Sequence, residues 1–303
     1  MNLEKCEETE YLMPDAEGGT FVNLAEFKVD KDKCIGCGSC VKVCPGGILS
    51  LDGENRSRMK DIEGFGWNGC WKCEHCMAVC PMGAISIFGK KPEDSLLPVD
   101  TALSRKTMES LVMNRHSCRR YQNKDIPKED ILEMVELLGN APNGGNKQLV
   151  EFTLFDDRKK MDEFRDLAYR RMEELAKSGV FADGFDASSY QEMKEWEKTV
   201  RPDMLFCSAP YLLIPHARTG HGEPVQDVNI AAAYFELICA SRGYGAVIMT
   251  FPLANMKNMP DIRDMLKIPD DHYVGSMIGF GIPEIRYVRG SQRKTENKRI
   301  HIL

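Results

Sequence analysis

Residues 34–45 read Cys34-Ile-Gly-Cys37-Gly-Ser-Cys40-Val-Lys-Val-Cys44-Pro45, and residues 70–81 read Cys70-Trp-Lys-Cys73-Glu-His-Cys76-Met-Ala-Val-Cys80-Pro81. Both follow C-x2-C-x2-C-x3-C-P, and the second run begins 36 residues after the first, at Cys70 rather than Cys34. Two-residue gaps let three thiolates converge from one tight loop onto three corners of an iron–sulfur cubane. The cysteine before the proline reaches the other cluster in two-cluster arrangements. The spacing therefore predicts that Cys34, Cys37, Cys40 and Cys80 hold one 4Fe–4S cluster and that Cys70, Cys73, Cys76 and Cys44 hold a second. A zinc site needs only four ligands and leaves the second triplet and both Cys-Pro steps unexplained. Each motif is followed by alternation, Ile48-Leu-Ser-Leu51 and Ile85-Ser-Ile-Phe88, which predicts short strands that pair across the internal repeat. The connector 45–69, with Arg56, Arg58 and Lys60, reads as a hairpin or a docking loop. His75 is either a solvent-exposed spacer or a hydrogen-bonding group that tunes a cluster potential.

Outside this segment the chain is ordinary for a globular protein. Of its 303 residues 43% are hydrophobic and 28% charged, with a formal net charge of −6. That charge argues against nucleic acid as a partner. No run approaches the ~18 apolar residues of a membrane span. The acidic start (Glu4, Glu7, Glu8, Glu10) lacks the features of a secretory signal, so a cytoplasmic location is expected. Only Cys6, Cys118, Cys207 and Cys239 of the twelve cysteines lie outside residues 34–80. Such crowding favours metal ligation over a secreted disulfide scaffold.

Residues 1–25 read as an N-terminal arm, 26–92 as the cluster-bearing domain and 100–303 as a second domain. The linker between them, 89–100, is rich in Gly, Pro and charge. In the second domain helical spacing predicts helices at 104–114, from Pro127 to near Gly139, at 158–177 and at 227–242. Strands are expected at Phe152–Phe155, Tyr211–Pro215, Ala246–Met249 and Tyr273–Gly279. Helices and strands do not alternate as βαβ units, which indicates an α+β domain. No G-x-G-x-x-G follows a strand and no G-x4-G-K-[ST] occurs, so a Rossmann or P-loop site is not indicated. The helix at 227–242, rich in small residues, suits either a subunit interface or an ordinary core.

Three other stretches suit an anionic ligand. Arg115-His116-Ser117-Cys118-Arg119-Arg120 is either a phosphate clamp or a solvated basic helix end. Ala141-Pro142-Asn143-Gly144-Gly145-Asn146-Lys147-Gln148 is a turn-forming loop whose amides can meet a heteroaromatic edge. The basic tail carries Arg286, Arg289, Arg293 and Lys294. Cys118, beside the clamp, reads as a buried packing residue rather than a reactive thiol.

Residues 27–90 resemble the bacterial two-cluster ferredoxins. Residues 105–294 resemble the nitroreductase family of FMN flavoproteins, through R-H-S-x-R at Arg115–Arg119, A-P-x-x-x-N-x-Q at Ala141–Gln148, and the terminal strand, G-I-P and late arginine at Tyr273–Arg293. The second resemblance implies a central, mostly antiparallel sheet flanked by helices. It also implies FMN held by Arg115, His116, Ser117 and Arg119, with Arg293 closing on the phosphate. Pro142, Asn143, Gly144 and Asn146 would come from the partner of a homodimer, and the backbone at Met249 and Thr250 would lie along the flavin. Leu149-Val150 replaces the Pro-Trp of many relatives, which implies a different substrate face. Two 4Fe–4S clusters and FMN on one chain imply an oxidoreductase that takes electrons from a low-potential donor (a ferredoxin, flavodoxin or NAD(P)H) and reduces a small organic acceptor such as a nitroaromatic or quinone. No acid–base dyad or nucleophile stands out as catalytic. A redox sensor or electron store without a dedicated substrate is the alternative.

Overall fold

The computed structural model describes residues 24–60, 62, 64–65 and 69–291. The chain divides between Pro98 and Val99 into two compact units, and Gly145–Lys147 groups with the first.

In the first unit, β1 (Lys28–Val29) leads to α1 (Ser39–Val43), which begins one residue before the third cysteine of the first motif. It is followed by β2 (Leu49–Leu51), β3 (Ser57–Met59), α2 (His75–Ala78) and β4 (Ile85–Ser86). The expected pairing across the repeat is not what forms. β2 pairs antiparallel with β3, and β4 pairs antiparallel with β1. The reason is local. Asp52 Oδ1 accepts from Glu54 N (3.0 Å) and Arg56 N (2.8 Å), and Asn55 adopts φ 60°. This side-chain-stabilised turn folds the connector back on β2 as a hairpin. Ile48, Leu49, Met59, Ile62, Met77, Ile85 and Ile87 close a small core around Cys40, Cys70 and Cys76.

The two cysteine loops share a backbone. Gly36 and Gly38 sit at φ 67° and 71°, and the residues 36 positions later, Lys72 and Glu74, sit at φ 53° and 58°. A Cβ at Gly36 would lie 2.3 Å from the Asn55 carbonyl oxygen, on the hairpin turn. Gly36→Ala therefore adds a collision with backbone to the left-handed penalty of about 1–2 kcal/mol. The variant is expected to lose iron from the first cluster site while the second stays filled, which iron analysis per chain would register.

The second unit is built on one sheet of strand order β5-β6-β9-β7, with β8 also paired to β6. Its strands are β5 (Glu151–Phe155), β6 (Tyr211–Arg218), β7 (Gly245–Met249), β8 (His272–Val274) and β9 (Met277–Gly281), and every pairing is antiparallel. The α+β architecture with an antiparallel sheet flanked by helices is thus as the sequence indicates. The helices are α3 (Thr101–Asn114), α4 (Lys128–Glu136), α5 (Arg158–Lys177), α6 (Ala187–Thr199), α7 (Pro224–Ser241), α8 (Phe251–Met256) and α9 (Pro260–Met265).

Central strand β6 is buried on both faces, because its side chains alternate between two cores. Tyr211 and Leu213 meet Ile131 and Met134 of α4 and Phe235 of α7. Leu212 and Ile214 meet Met161, Phe164 and Met172 of α5. Full burial of a side chain such as Phe164 or Phe235 contributes about 1.5–3 kcal/mol. The strand expected over Tyr273–Gly279 is two strands: β9 pairs with Tyr211–Leu213 and β8 with His216–Arg218. The break falls opposite Ile214 and Pro215, and proline cannot donate to a ladder. Helix α6 escapes the periodicity reading because Met193 is its single buried residue. Its start is nonetheless marked by Asp186, whose carboxylate caps Ser189 N at 2.8 Å.

Candidate functional site

The first candidate site lies in the first unit. Cys34, Cys37, Cys40 and Cys80 line one cavity with about 340 Å³ of empty space, walled by Ile35, Leu51, Pro81 and Ile85. Three of these thiols come from the first motif and the fourth from the second. The polar groups at the sulfurs are in place as well. Ser39 Oγ lies 3.4 Å from Cys37 Sγ, Ser57 Oγ lies 3.2 Å from Cys40 Sγ, and Ala84 N donates to Cys80 Sγ at 3.2 Å. Hydrogen bonds of this kind raise a cluster's potential.

The other four thiols lie close enough to act on one another electrostatically. Burial pushes the Cys76 thiol up to about 12, and Cys70, Cys73 and Cys44 add to the shift. Cys70 is pushed up by burial too, with Cys73 and Cys44 adding to it. Thiolates are costly in such a place unless a cationic centre compensates them. The donor set, two groups of four converging sulfurs, therefore fits iron–sulfur clusters. His75 opens α2 and is exposed, as a solvent-facing spacer would be.

The second candidate site lies in the second unit. Past α3 the chain runs alongside the sheet. Cys118 N donates to Ala246 O of β7 at 2.8 Å, Gln122 N to Ile282 O at 2.8 Å, and Glu284 N to Arg120 O at 3.0 Å. Arg115–Arg119 are thereby fixed beside β7. Arg115 Nη1 donates to Glu236 Oε1 of α7 at 2.8 Å. The His116 ring packs against Tyr287 at 3.9 Å between centroids, and its buried Nε2 has no hydrogen-bond partner. Arg119 Nη1 donates to Ser117 O at 3.3 Å, and its exposed guanidinium also reaches Cys207. An orphaned buried imidazole nitrogen on the segment that carries Arg115 and Arg119 fits an anionic, hydroxylated cofactor such as FMN. Cys118 behaves as a packing residue: burial pushes its thiol up, and it lies against Gly245 of β7.

Asn143 holds its own loop, donating from Nδ2 to Ala141 O (3.1 Å) and accepting at Oδ1 from Gln148 N (2.8 Å). Pro142 is exposed. Gly144 N donates to the buried Asp227 Oδ1 at 2.9 Å. Asn146 belongs with the first unit, where its Nδ2 donates to Trp71 O at 2.9 Å. Met249 ends β7, buried, and exposed Thr250 precedes α8. Arg293 lies outside the described residues; Ser291 N, two positions earlier, donates to Met113 O at the end of α3.

The structure does not bring all the flavin candidates together within one chain. Gly144 contacts α7 at Asp227 and Arg115 contacts it at Glu236, nine residues or ~13.5 Å further along the helix. Sequence reasoning missed Asp227, Glu236 and Tyr287. Acidic residues on an otherwise apolar helix were the available signal. Among the described residues no helix is long and apolar enough to cross a membrane.

Comparison with known proteins bears on both sites. A family model described as "Nitroreductase family" matches residues 112–282, and one described as "4Fe-4S dicluster domain" matches residues 33–84. The chain is similar to an iodotyrosine deiodinase of Thermotoga neapolitana, 22% identical over 181 residues, 59% of this chain and 90% of that protein. Its N-terminal part is similar to Ferredoxin-3 of a Nostoc species, 47% identical over 38 residues, 12% of this chain and 39% of that protein. Among solved structures, an FMN-bound nitroreductase from Desulfitobacterium hafniense shares the fold at TM-score 0.51 and 18% identity, over 65% of this chain and 98% of that one.

Proposed function

Because the chain belongs to the nitroreductase family of FMN-dependent oxidoreductases and carries a 4Fe–4S dicluster domain, we propose that it passes electrons between two 4Fe–4S clusters and one FMN to reduce a small aromatic or quinonoid acceptor. The observation that carries this reading is the crossed cavity, in which Cys80 of the second motif joins Cys34, Cys37 and Cys40 of the first. That crossing is the mark of a two-cluster domain. Residues 26–92 form the ferredoxin-like domain and 100–303 the flavin domain.

When bound, the clusters carry single electrons and the flavin supplies two-electron reduction of the acceptor. The residues of the chain do the rest. Arg115 and Arg119 neutralise the cofactor phosphate and the charge that reduction adds, and His116 Nε2 bonds the ribityl or phosphate oxygens. Glu236 orients Arg115. The Pro142–Asn143–Gly144 loop, with Asn146, serves the cofactor of the other copy in a homodimer. Two observations support the dimer: the separation of loop and clamp along α7, and α3, whose Leu103, Met108, Val112 and Met113 are all exposed.

The acceptor class rests on a shallow recess that starts at Phe251, next to Thr250 in sequence. Phe181, Phe185, Tyr190 and Phe251 line it, an aromatic wall suited to a flat ring; Asn255 and Asn258, also in the lining, donate from Nδ2 to Phe251 O and Phe181 O. A low-potential carrier protein or NAD(P)H supplies the electrons. Anaerobically reduced protein is expected to reoxidise with turnover when nitroaromatics or quinones are added. Reduction held unchanged in the presence of the whole panel would instead indicate an electron store.

A further inference from the structure

Away from the flavin candidates, the sheet of the second unit assembles a donor set that the proposed reaction does not use. Glu151 and His216 are register partners across β5 and β6. His216 in turn pairs with Val274 of β8, and His272 lies two residues from Val274 on that strand. Because side chains on a strand repeat with period two, all three residues share one face of three adjacent strands. His216 Nδ1 and His272 Nδ1 are 2.9 Å apart, His272 Nε2 lies 3.9 Å from Glu151 Oε1, and one ligand atom from each residue falls within 4.8 Å of the others.

The two imidazoles are 2% and 9% exposed, which is rare for a histidine pair. Facing nitrogens 2.9 Å apart require that one of them be a bare acceptor, so the pair holds one proton between the two rings at that contact. Glu151, by contrast, is exposed, so its carboxylate can swing inward and the site has an opening to solvent. Thr153 Oγ1 contacts His216 Nε2 at 3.3 Å and donates to Leu266 O at 3.0 Å, which fixes the His216 ring. Ring orientation set by an outer partner is characteristic of metal-ligating histidine. Among the described residues, the cation that faces the pair is Arg263 of α9. Its Nη2 is taken up by the carbonyls of Pro269 (2.9 Å), Asp270 (3.3 Å) and His272 (2.9 Å), and its Nε lies 3.6 Å from Asp270 Oδ1.

We propose that His216, His272 and Glu151 form a binding site for a divalent late transition metal of the zinc class, with water as the remaining ligand. Two neutral imidazoles and one carboxylate are a zinc donor set with an open position. At metal–nitrogen distances of ~2.0–2.1 Å in a tetrahedral arrangement the two nitrogens stand ~3.3 Å apart, so the imidazoles need to part by only a few tenths of an ångström. The metal ties β8 to β5 through β6, where Pro215 interrupts the ladder.

The test uses the purified full-length protein with its cofactors, mild chelation, titration with zinc chloride alone, and parallel iron analysis to exclude exchange into the cysteine sites. Wild type is expected to bind one zinc more per chain than Glu151→Gln or His272→Gln at unchanged iron, and zinc should raise its unfolding temperature. Loss of an outer partner weakens a metal site 10–100-fold, so loss of a ligand should weaken binding by about 100-fold. Glu151→Gln is an exposed, isosteric change that leaves the buried pair intact, so it remains informative even if His272→Gln folds poorly. Equal zinc content and equal thermal response in wild type and Glu151→Gln would overturn the proposal.

Discussion

Combining Cys80→Ala with Cys34→Ala is expected to leave about four irons per chain, whereas combining Cys80→Ala with Cys76→Ala should leave almost none. The difference follows from which thiols share a cavity. Cys80 lies with Cys34, Cys37 and Cys40, while Cys76 is surrounded by Cys70, Cys73 and Cys44. The first pair of substitutions therefore damages one cluster twice, and the second damages both clusters once. If each motif held its own cluster with its own fourth cysteine, the two results would be exchanged. Iron and acid-labile sulfide per chain decide between them, and the flavin content serves as the internal control for folding of the second unit.

The double variant Arg115→Ala/Arg119→Ala should release FMN and leave iron at its wild-type level. Each guanidinium can make charge-assisted hydrogen bonds to the phosphate, worth about 1.5–3 kcal/mol apiece. With 1.4 kcal/mol per tenfold, their joint loss weakens flavin binding by about 10²–10⁴-fold. The Arg115 pairing with Glu236 adds to the effect, since its removal leaves a carboxylate that is only 12% exposed without its cation. Flavin that stays bound at one per chain after gel filtration would show that the clamp has been placed on the wrong arginines.

How much of this was legible in the sequence depended on whether the determinant was local. The 4Fe–4S dicluster domain was readable because the spacing of Cys34, Cys37 and Cys40 acts within one turn of chain. The long helix α5 was readable because Met161, Phe164, Ala168 and Met172 recur on one side of it. The pairing of the short strands was not. It depended on the Asp52 turn, which competes with a longer-range pairing and wins by proximity. The division of the last strand into β8 and β9 could not be read from Tyr273–Gly279 either, since its cause, Pro215, sits on a different strand. Nor could α6, whose one buried side chain gives no period. In the proposed flavin site the basic cluster was visible, but Glu236, the partner of Arg115, lies 121 residues away, and only folding brings the two together.

The matched left-handed residues of the two cysteine loops say something about history. At positions 36 and 38 the bend is made by glycine, which adopts it freely. At 72 and 74 lysine and glutamate make the same bend, at a cost of about 1–2 kcal/mol each. Two copies of one spacing thus keep one shape with different residues. What was preserved across the copies is the mould for an inorganic object and not the lettering of the loop. An iron–sulfur core, once loaded, would hold a backbone that its own side chains would not choose. Drift at such positions is tolerated as long as the core is loaded, and the chain becomes dependent on its mineral part to keep its form.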